Sequence, residues 1–560
     1  MLYFNGGSEV DYPTTFAENE EVILPTSSVK NGYTFGGWYD NSSFTGSQIE
    51  VVPSGTTSDV TLYAKWNIVN YLISYQLNGG SIGSPYPSSY TINDEITLPI
   101  PSYTQYVFQG WYDNADFLGN SISSIVLGTT GNKNYHAKWR VIDADDFRLF
   151  MESSLPAVVE EDLELPSTYE GLSISWSSNK PTVMSNTGVY SRPYLATTVI
   201  LTASVSGAFG SATQDYEVDL KGFKVLSPGI ASSYIYRGYN TVTQAFFDTL
   251  DIINCAFITA DANGTLSGST FLTNVSTHII PKAHEQGDWV IVSISPSSSW
   301  SAIAANSTIV NTFANNIVSL INTYGFDGVD IDWETPSVGE EALFTAMMAV
   351  IYQKVKANNP HHLVTAAIAA GIWQPPRYDL NNSKQYLDFI NMMAYDMASS
   401  SGYYQNALYR QTTFHNSTMS VGKTLNSCSI NESVAFYVNN YAISKAKIIV
   451  GIPFYGVRQT RTYSEGTWSA WSKASTPYYH TIVANYIGNA DYTEYYDSGA
   501  QVPYLVKNDG TEFISYDNPT SVAVKCQYVI DNQIGGIMYW ENGCDNTGAL
   551  LASMKSALNK

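Results

Sequence analysis

The sequence predicts a multidomain chain that ends in a (β/α)8 barrel, with a small α+β insertion between the seventh and eighth strands. β-Rich repeats and a β-sandwich precede the barrel. Three observations predict this. A block of the first part is duplicated, a run of short strands follows it, and from about residue 223 strand-like and helix-like segments alternate to the end.

The duplication comes first. Asn5-Gly6-Gly7, Gly37-Trp38-Tyr39-Asp40-Asn41 and Ala64-Lys65-Trp66 each recur 73 residues later, as Asn78-Gly79-Gly80, Gly110-Trp111-Tyr112-Asp113-Asn114 and Ala137-Lys138-Trp139. One common offset means that a whole domain was copied. Each copy alternates apolar and polar residues between Gly and Asn turns, the mark of small β-rich modules. The pattern resembles the Listeria–Bacteroides repeat, which implies a β-grasp-like fold and a spacer or adhesive role for residues 1–67 and 68–140. Trp38 and Trp111 are expected in the two cores.

Residues 141–222 change character. An amphipathic stretch from Asp146 to Ser154 precedes Ile174-Ser175-Trp176-Ser177-Ser178 and the strand-like Val199–Val205. Short strands around a central Trp suggest a sandwich. The segment resembles the atrophied bacterial immunoglobulin-like domain, which implies a further spacer.

Residues 223–560 carry eight candidate buried strands: Ser233–Arg237, Asp251–Ile258, Trp289–Ile294, Phe326–Trp333, Leu363–Ala369, Phe389–Tyr395, Ile448–Phe454 and Gly536–Trp540. Helical segments such as Ile309–Tyr324 and Glu341–Ala357 lie between most of them. Eight such units in about 340 residues fit a (β/α)8, or TIM, barrel. The largest insertion, about residues 457–514, is rich in Tyr and Trp.

Composition narrows the partners. The chain has 560 residues, 27 Lys plus Arg and a formal net charge of −22. That balance repels nucleic acid and anionic membranes and leaves neutral polymers unpenalised. Only 14% of residues are charged, yet there are 42 Tyr. Hydroxyls, amides and rings suit sugar binding, although secreted proteins without sugar ligands share that surface. Cys255, Cys428, Cys526 and Cys544 show no metal-ligand spacing; one disulfide fits the count, and Cys255 reads as a small core hydrophobe. No apolar run reaches the ~18 residues of a spanning helix, so no membrane insertion is expected. Met1 leads directly into strand-like Leu2-Tyr3-Phe4, so an export signal is expected to precede this chain, and the protein is expected to be secreted or held at a bacterial cell surface.

The chemistry lies in Asp327-Gly-Val-Asp330-Ile-Asp332-Trp-Glu334. Side chains alternate along a strand, so Asp330, Asp332 and Glu334 share one face, with Val329, Ile331 and Trp333 on the other. In a barrel the acids then point inward, with Glu334 at the carboxyl end, where barrel enzymes keep their active sites. Same-face neighbours are about 6.5–7 Å apart. Carboxylates so crowded cannot all ionise, and a raised pKa is what a general acid requires. Asp327, offset by an odd number, shapes the strand's entry. A solvated edge strand would show the same alternation, but this strand is fourth of eight, where parallel barrel strands are apolar.

These residues resemble the DGxDxDxE signature of family 18 glycoside hydrolases, the chitinase family. Further motifs follow in order: Met393-Ala-Tyr395-Asp396, Gly451-Ile-Pro-Phe-Tyr-Gly456, Phe513-Ile-Ser-Tyr516-Asp517 with Lys525, and Gly535-Gly536-Ile-Met-Tyr-Trp540. The resemblance covers about residues 223–560. It implies substrate assistance, which sets this family apart from glycosidases with a paired carboxylate nucleophile. Glu334 would protonate the leaving oxygen and the substrate's acetamide would attack the anomeric carbon. Asp332 would hold the acetamide N–H, Asp330 would share a proton with Asp332, and Tyr395 would bond the acetamide carbonyl. Trp540 would floor the −1 sugar, with Met393 and Asp396 at its border. Phe257 and Tyr236, near the ends of the second and first strands, are further candidates to bind substrate, though Phe257 fits core packing equally well. Arg458 fits an aglycone contact or a surface arginine. The family's SxGG after the third strand is replaced by Ser293-Ile-Ser295-Pro296, so the loop beside the acids must take another course.

Three readings follow. The first is a retaining hydrolase of β-1,4-linked N-acetylglucosamine polymers; Trp333 and the aromatic insertion favour chitin-like chains. The second is an endo-β-N-acetylglucosaminidase on N-glycans or wall glycans. The third is a non-catalytic sugar-binding adhesin, against which the presence of Glu334 argues. No metal or organic cofactor is implied: the Asp261-Ala-Asn263-Gly264 turn lacks the rest of a calcium loop. A monomer is expected.

Overall fold

The computed structural model describes residues 1–26, 28–152, 155–295, 299–398 and 401–560. The chain divides into two compact units, Met1–Ser191 with Thr198–Asp219, and Arg192–Thr197 with Leu220–Lys560.

In the first unit each repeat packs one Trp at its centre. Trp38 and Trp111 are buried, and each indole N–H donates to a proline carbonyl, that of Pro25 at 2.8 Å and Pro99 at 2.7 Å. Burial is tolerated because the polar end of the ring is satisfied. In repeat 1, Leu62–Ile68 lies between Leu2–Tyr3 and Tyr33–Tyr39; in repeat 2, Lys133–Val141 lies between Tyr71–Gln76 and Tyr106–Tyr112. The third module has a helix, Ala144–Met151, which begins at an Asp143 capping box and buries Phe147 and Met151. Its four-stranded sheet is built on the long pair Thr197–Gly207 and Gly210–Leu220, and a two-stranded sheet, Thr168–Tyr169 with Leu172–Ser173, completes the module.

The second unit is a closed parallel barrel of β1 (Ile230–Ile235), β2 (Ile252–Ala260), β3 (Trp289–Ile294), β4 (Gly328–Ile331), β5 (Leu363–Ala369), β6 (Phe389–Met393), β7 (Ile448–Pro453) and β8 (Gly536–Trp540). β1 pairs with both β2 and β8, which closes the ring. Apolar residues pack outward against helices such as Ser307–Tyr324 and Glu341–Asn358. Gly328 is forced by a close approach: a Cβ there would lie 2.2 Å from the Leu363 carbonyl oxygen. Asp327 accepts from Val290 N–H at 2.8 Å and from Tyr194 at 3.0 Å, and meets His284 at 2.8 Å, so it knits the amino-terminal end of β4.

Four expected strands shift by two or more residues at an end: β2 runs on to Ala260 and β6 stops at Met393, before Tyr395, and β1 and β4 change as well. β1 begins at Ile230, not Ser233, because Gly229 and Ile230 both donate to the Gly535 carbonyl. β4 ends at Ile331, two residues before Trp333, where the expected strand ended. The insertion is a five-stranded sheet in the order Ser472–Ser475, Val457–Thr460, Glu512–Ser515, Val502–Lys507, Tyr492–Asp497, with a helix at Tyr479–Asn485. All four cysteines are free and buried, so no disulfide forms. Among the described residues no helix is long and apolar enough to cross a membrane.

Candidate active site

The carboxyl end of the barrel gathers the acids. Asp330 is the last inward residue of β4 and is fully buried. Register places Ser293 of β3 and Thr365 of β5 directly beside it. Four donors surround its carboxylate: Thr365 Oγ1 at 2.6 Å and Asn391 Nδ2 at 3.1 Å on one oxygen, Ser293 Oγ at 2.7 Å and Tyr234 Oη at 2.8 Å on the other. Burial pushes the Asp330 pKa up and the four donors pull it back.

Asp332 and Glu334 lie beyond the strand, on irregular backbone. Trp300 Nε1 holds the Asp332 carbonyl at 3.1 Å and Tyr378 Oη holds the Trp333 carbonyl at 2.8 Å. The Asp332 carboxyl is buried and hydrogen-bonded to Glu334; its Oδ1 meets no partner. Burial, then the charges of Glu334 and Asp330, then the bond to Glu334 all raise the Asp332 pKa. Glu334 opens to solvent, yet the protein packed around it raises its pKa, the bond from Asp332 lowers it, and the charge of Asp396 raises it again. Burial is the first cause of both shifts, and the two carboxyls share a proton as one coupled pair. Asp332 is hydrogen-bonded to Glu334, and four donors occupy the carboxylate of Asp330, the expected proton partner.

The walls come from other strands. Tyr395 follows β6, half-buried, and its phenol pKa is raised by burial and then by Asp332, Glu334, Asp396 and Asp330 in that order. Gly451 makes room for it, since a Cβ there would lie 2.9 Å from the Tyr395 ring. Trp540 ends β8 and stacks on Phe257 at 5.6 Å, with Tyr236 at 6.0 Å and Tyr234 at 5.5 Å. Met393, Phe257, Tyr395 and Trp540 flank one apolar cluster at the strand ends.

Three expectations change. Trp333 is buried among Trp300 and Phe344 on the helix side, so it offers no surface to a sugar chain. Part of the insertion's aromatic character is its own core: Trp471, Tyr504 and Phe513 are buried together with Tyr404. Arg458 is not brought to the acids; it pairs with Glu512 at 2.6 Å, which also accepts from Tyr492 at 2.8 Å. Lys473 of the insertion does reach this rim, 3.5 Å from Asp396. Pro296 of the changed segment after β3 lies outside the described residues. Among the described residues no cluster of His, Cys, Asp or Glu could hold a metal ion.

An inward acid ladder at the mouth of a parallel barrel, walled by Tyr395 and Trp540, is matched by the comparison with known families. Residues 232–545 match the family described as Glycosyl hydrolases family 18. The chain belongs to family 18. Residues 3–65 and 71–138 match the Listeria-Bacteroides repeat domain, and residues 142–222 the atrophied bacterial Ig domain. Among curated proteins, Chitinase A1 of Niallia circulans is 29% identical over 297 residues, 47% of this chain and 41% of that one. A probable endochitinase of Caenorhabditis elegans is 31% identical over 285 residues, 46% and 44% of the two chains. The chain thus spans about half the length of the curated relatives it matches. Among solved structures, a family 18 N-acetylglucosaminidase from Paenibacillus barengoltzii aligns at a TM-score of 0.52 and 25% identity, over 59% of this chain and 99% of that one. A class V chitinase from Nicotiana tobaccum shares the fold at a TM-score of 0.51 and 19% identity, over 59% and 99% of the two chains.

Sequence reasoning missed Tyr234, Thr365, Asn391 and Tyr378. A signal existed for two of them, since Thr365 and Asn391 are lone polar residues inside apolar barrel strands.

Proposed function

We propose that this chain is a retaining glycoside hydrolase acting on β-1,4-linked N-acetylglucosamine polymers by substrate assistance, through an oxazolinium intermediate. The hydrogen-bonded Asp332–Glu334 pair above a saturated Asp330 carries the reading. Before substrate binds, the two carboxyls share one proton. When a sugar's acetamide arrives, the Asp332 carboxyl turns to its N–H, and Glu334 takes up the proton it needs as general acid. The acetamide oxygen attacks the anomeric carbon while Glu334 protonates the leaving oxygen. The developing oxazolinium carries positive charge beside Asp332, a preorganised anion. Tyr395 donates to the acetamide carbonyl, and Trp540, braced by Phe257 and Tyr236, supports the apolar face of the −1 ring. Glu334 then serves as base to the incoming water. Met393 and Asp396 border the same sugar.

The relatives include chitinases and an N-acetylglucosaminidase, so the shared element is the N-acetylglucosamine ring at the cut. Mass spectrometry of products from chitin oligomers separates release of single sugars from internal cuts. Glu334→Gln should lower kcat by at least about a thousandfold and leave oligomer binding intact by calorimetry; retained hydrolysis would mean that another acid protonates the leaving group. We read residues 1–222 as spacer modules that carry the barrel outside the cell, at or near a bacterial surface.

A further inference from the structure

Asp396 is the acid of this site that stands outside the barrel's buried hydrogen-bond network. It follows Tyr395 in the left-handed region (φ 52°), which aspartate tolerates, and half of its side chain is exposed. Tyr455 donates a hydrogen bond to it. Its negative charge acts on Glu334. One cation meets it within ion-pair distance among the described residues, the Lys473 ammonium at 3.5 Å.

Lys473 is not a barrel residue. It sits on Ser472–Ser475, the edge strand of the insertion sheet, opposite Gln459. The nearby arginine does not compete, because Arg458 is committed to Glu512.

We propose that Lys473 is a positioning residue for hydrolysis: its ammonium offsets the field of Asp396 at Glu334 and so sets the upper pH limit at which Glu334 still carries its proton. This rests on Glu334 being the proton donor. The groups facing Glu334 are Asp332 from the end of β4, Tyr395 and Asp396 from the end of β6, and Tyr378 from the segment after β5. Those facing Asp396 are Glu334, Tyr395, Tyr455 after β7, and Lys473 from the insertion. The sign follows. Without Lys473 the charge of Asp396 acts at full strength, Glu334 ionises less readily, and the basic limb of activity moves to higher pH. Without the charge of Asp396 the limb moves to lower pH, and Lys473 then has nothing to offset.

The test is the pH dependence of kcat on a chitin oligomer at low salt, using the full chain, for wild type, Lys473→Met, Lys473→Arg, Asp396→Asn and the double variant Asp396→Asn/Lys473→Met. For a half-exposed pair, Lys473→Met should raise the basic limb by about 0.2–0.7 pH unit, an effect that shrinks in high salt. Lys473→Arg should restore the wild-type limb. In the Asp396→Asn background, Lys473→Met should move nothing. A Lys473→Met limb that coincides with wild type, or moves equally in the Asp396→Asn background, overturns the proposal while leaving Glu334 as the acid. A wild-type chain that releases no product overturns both.

Discussion

Lys525 offers a test of how the site is held from behind. Its ammonium is buried and donates to Asp517 and to Asn406. Asn406 in turn donates to the carbonyl of Ala394, the residue before Tyr395, and to that of Gly451 at 3.4 Å. Lys525→Met removes the charge at nearly constant volume and strands a buried Asp517 carboxylate, whose remaining side-chain donor is Ser521 at 2.6 Å. Breaking a buried pair from one side costs about 3–5 kcal/mol. The barrel unit holds about 340 residues, so its unfolding entropy is about 0.7 kcal/mol/K, and the melting temperature should fall by about 4–7 °C. Lys525→Met/Asp517→Leu should recover part of that loss, since Ser521 keeps the Asn518 carbonyl at 3.1 Å and no lone charge remains. Scanning calorimetry reads both, with the barrel's transition identified by parallel loss of activity. A second readout tests positioning: kcat, measured well below the transition, should drop about tenfold in Lys525→Met, because displacement by a fraction of an ångström near the reacting atoms is costly. A single variant that melts within about 1 °C of wild type, or a double variant no better than the single, refutes the reasoning.

Two further outcomes follow from charges elsewhere. Arg458→Ala should leave KM for chitin oligomers within about twofold, because this guanidinium is spent on Glu512; a tenfold rise would return it to the substrate. Asp288 is buried, and its carboxyl lies 2.6 Å from Lys224 without a well-aligned hydrogen bond, so burial raises its pKa from 3.8 to about 7. The folded state then binds this proton more tightly than the unfolded chain. The resulting stability is present below pH ~4 and fades as pH rises to ~7, by about 4 kcal/mol at most. Asp288→Asn should flatten that decline in melting temperature between these pH values, and an unchanged slope would assign the decline to other groups.

The residues that could be read from sequence are those whose position follows from strand parity alone. Alternation turns Asp330 inward and Val329 and Ile331 toward the helices, and the structure has all three there; Trp333, past the end of β4, also lies on the helix side. The same parity denied Trp333 any part in the cleft, so its count as a sugar contact contradicted its own placement. Beyond Ile331 alternation no longer governs, because β4 has ended. Asp332 and Glu334 are aimed instead by two carbonyl clamps, Trp300 on Asp332 and Tyr378 on Trp333. Those clamps come from segments after β3 and β5, and nothing local in the sequence links them to the motif. Thr365, Asn391 and Ser293 are a middle case. Each is a lone polar residue in an apolar strand, which a buried strand tolerates only with a partner; neighbouring register makes Asp330 the partner of Ser293 and Thr365, and Asn391 reaches it from β6, two strands away.

The cations show where such reasoning stops. Arg458 stands four residues after Phe454 in a recognisable motif, and Lys473 stands in an unremarked stretch of the insertion. Which of them reaches an acid depends on how the insertion sheet folds back. On Val457–Thr460, Arg458 reaches diagonally to Glu512 on the neighbouring strand, while the outer strand carries Lys473 to Asp396. A motif fixes the position of a residue on its strand, but the direction of its charge is decided by strands more than a dozen residues away. The pH limb of Lys473→Met is therefore a measurement of the insertion's fold as much as of the acid it acts on.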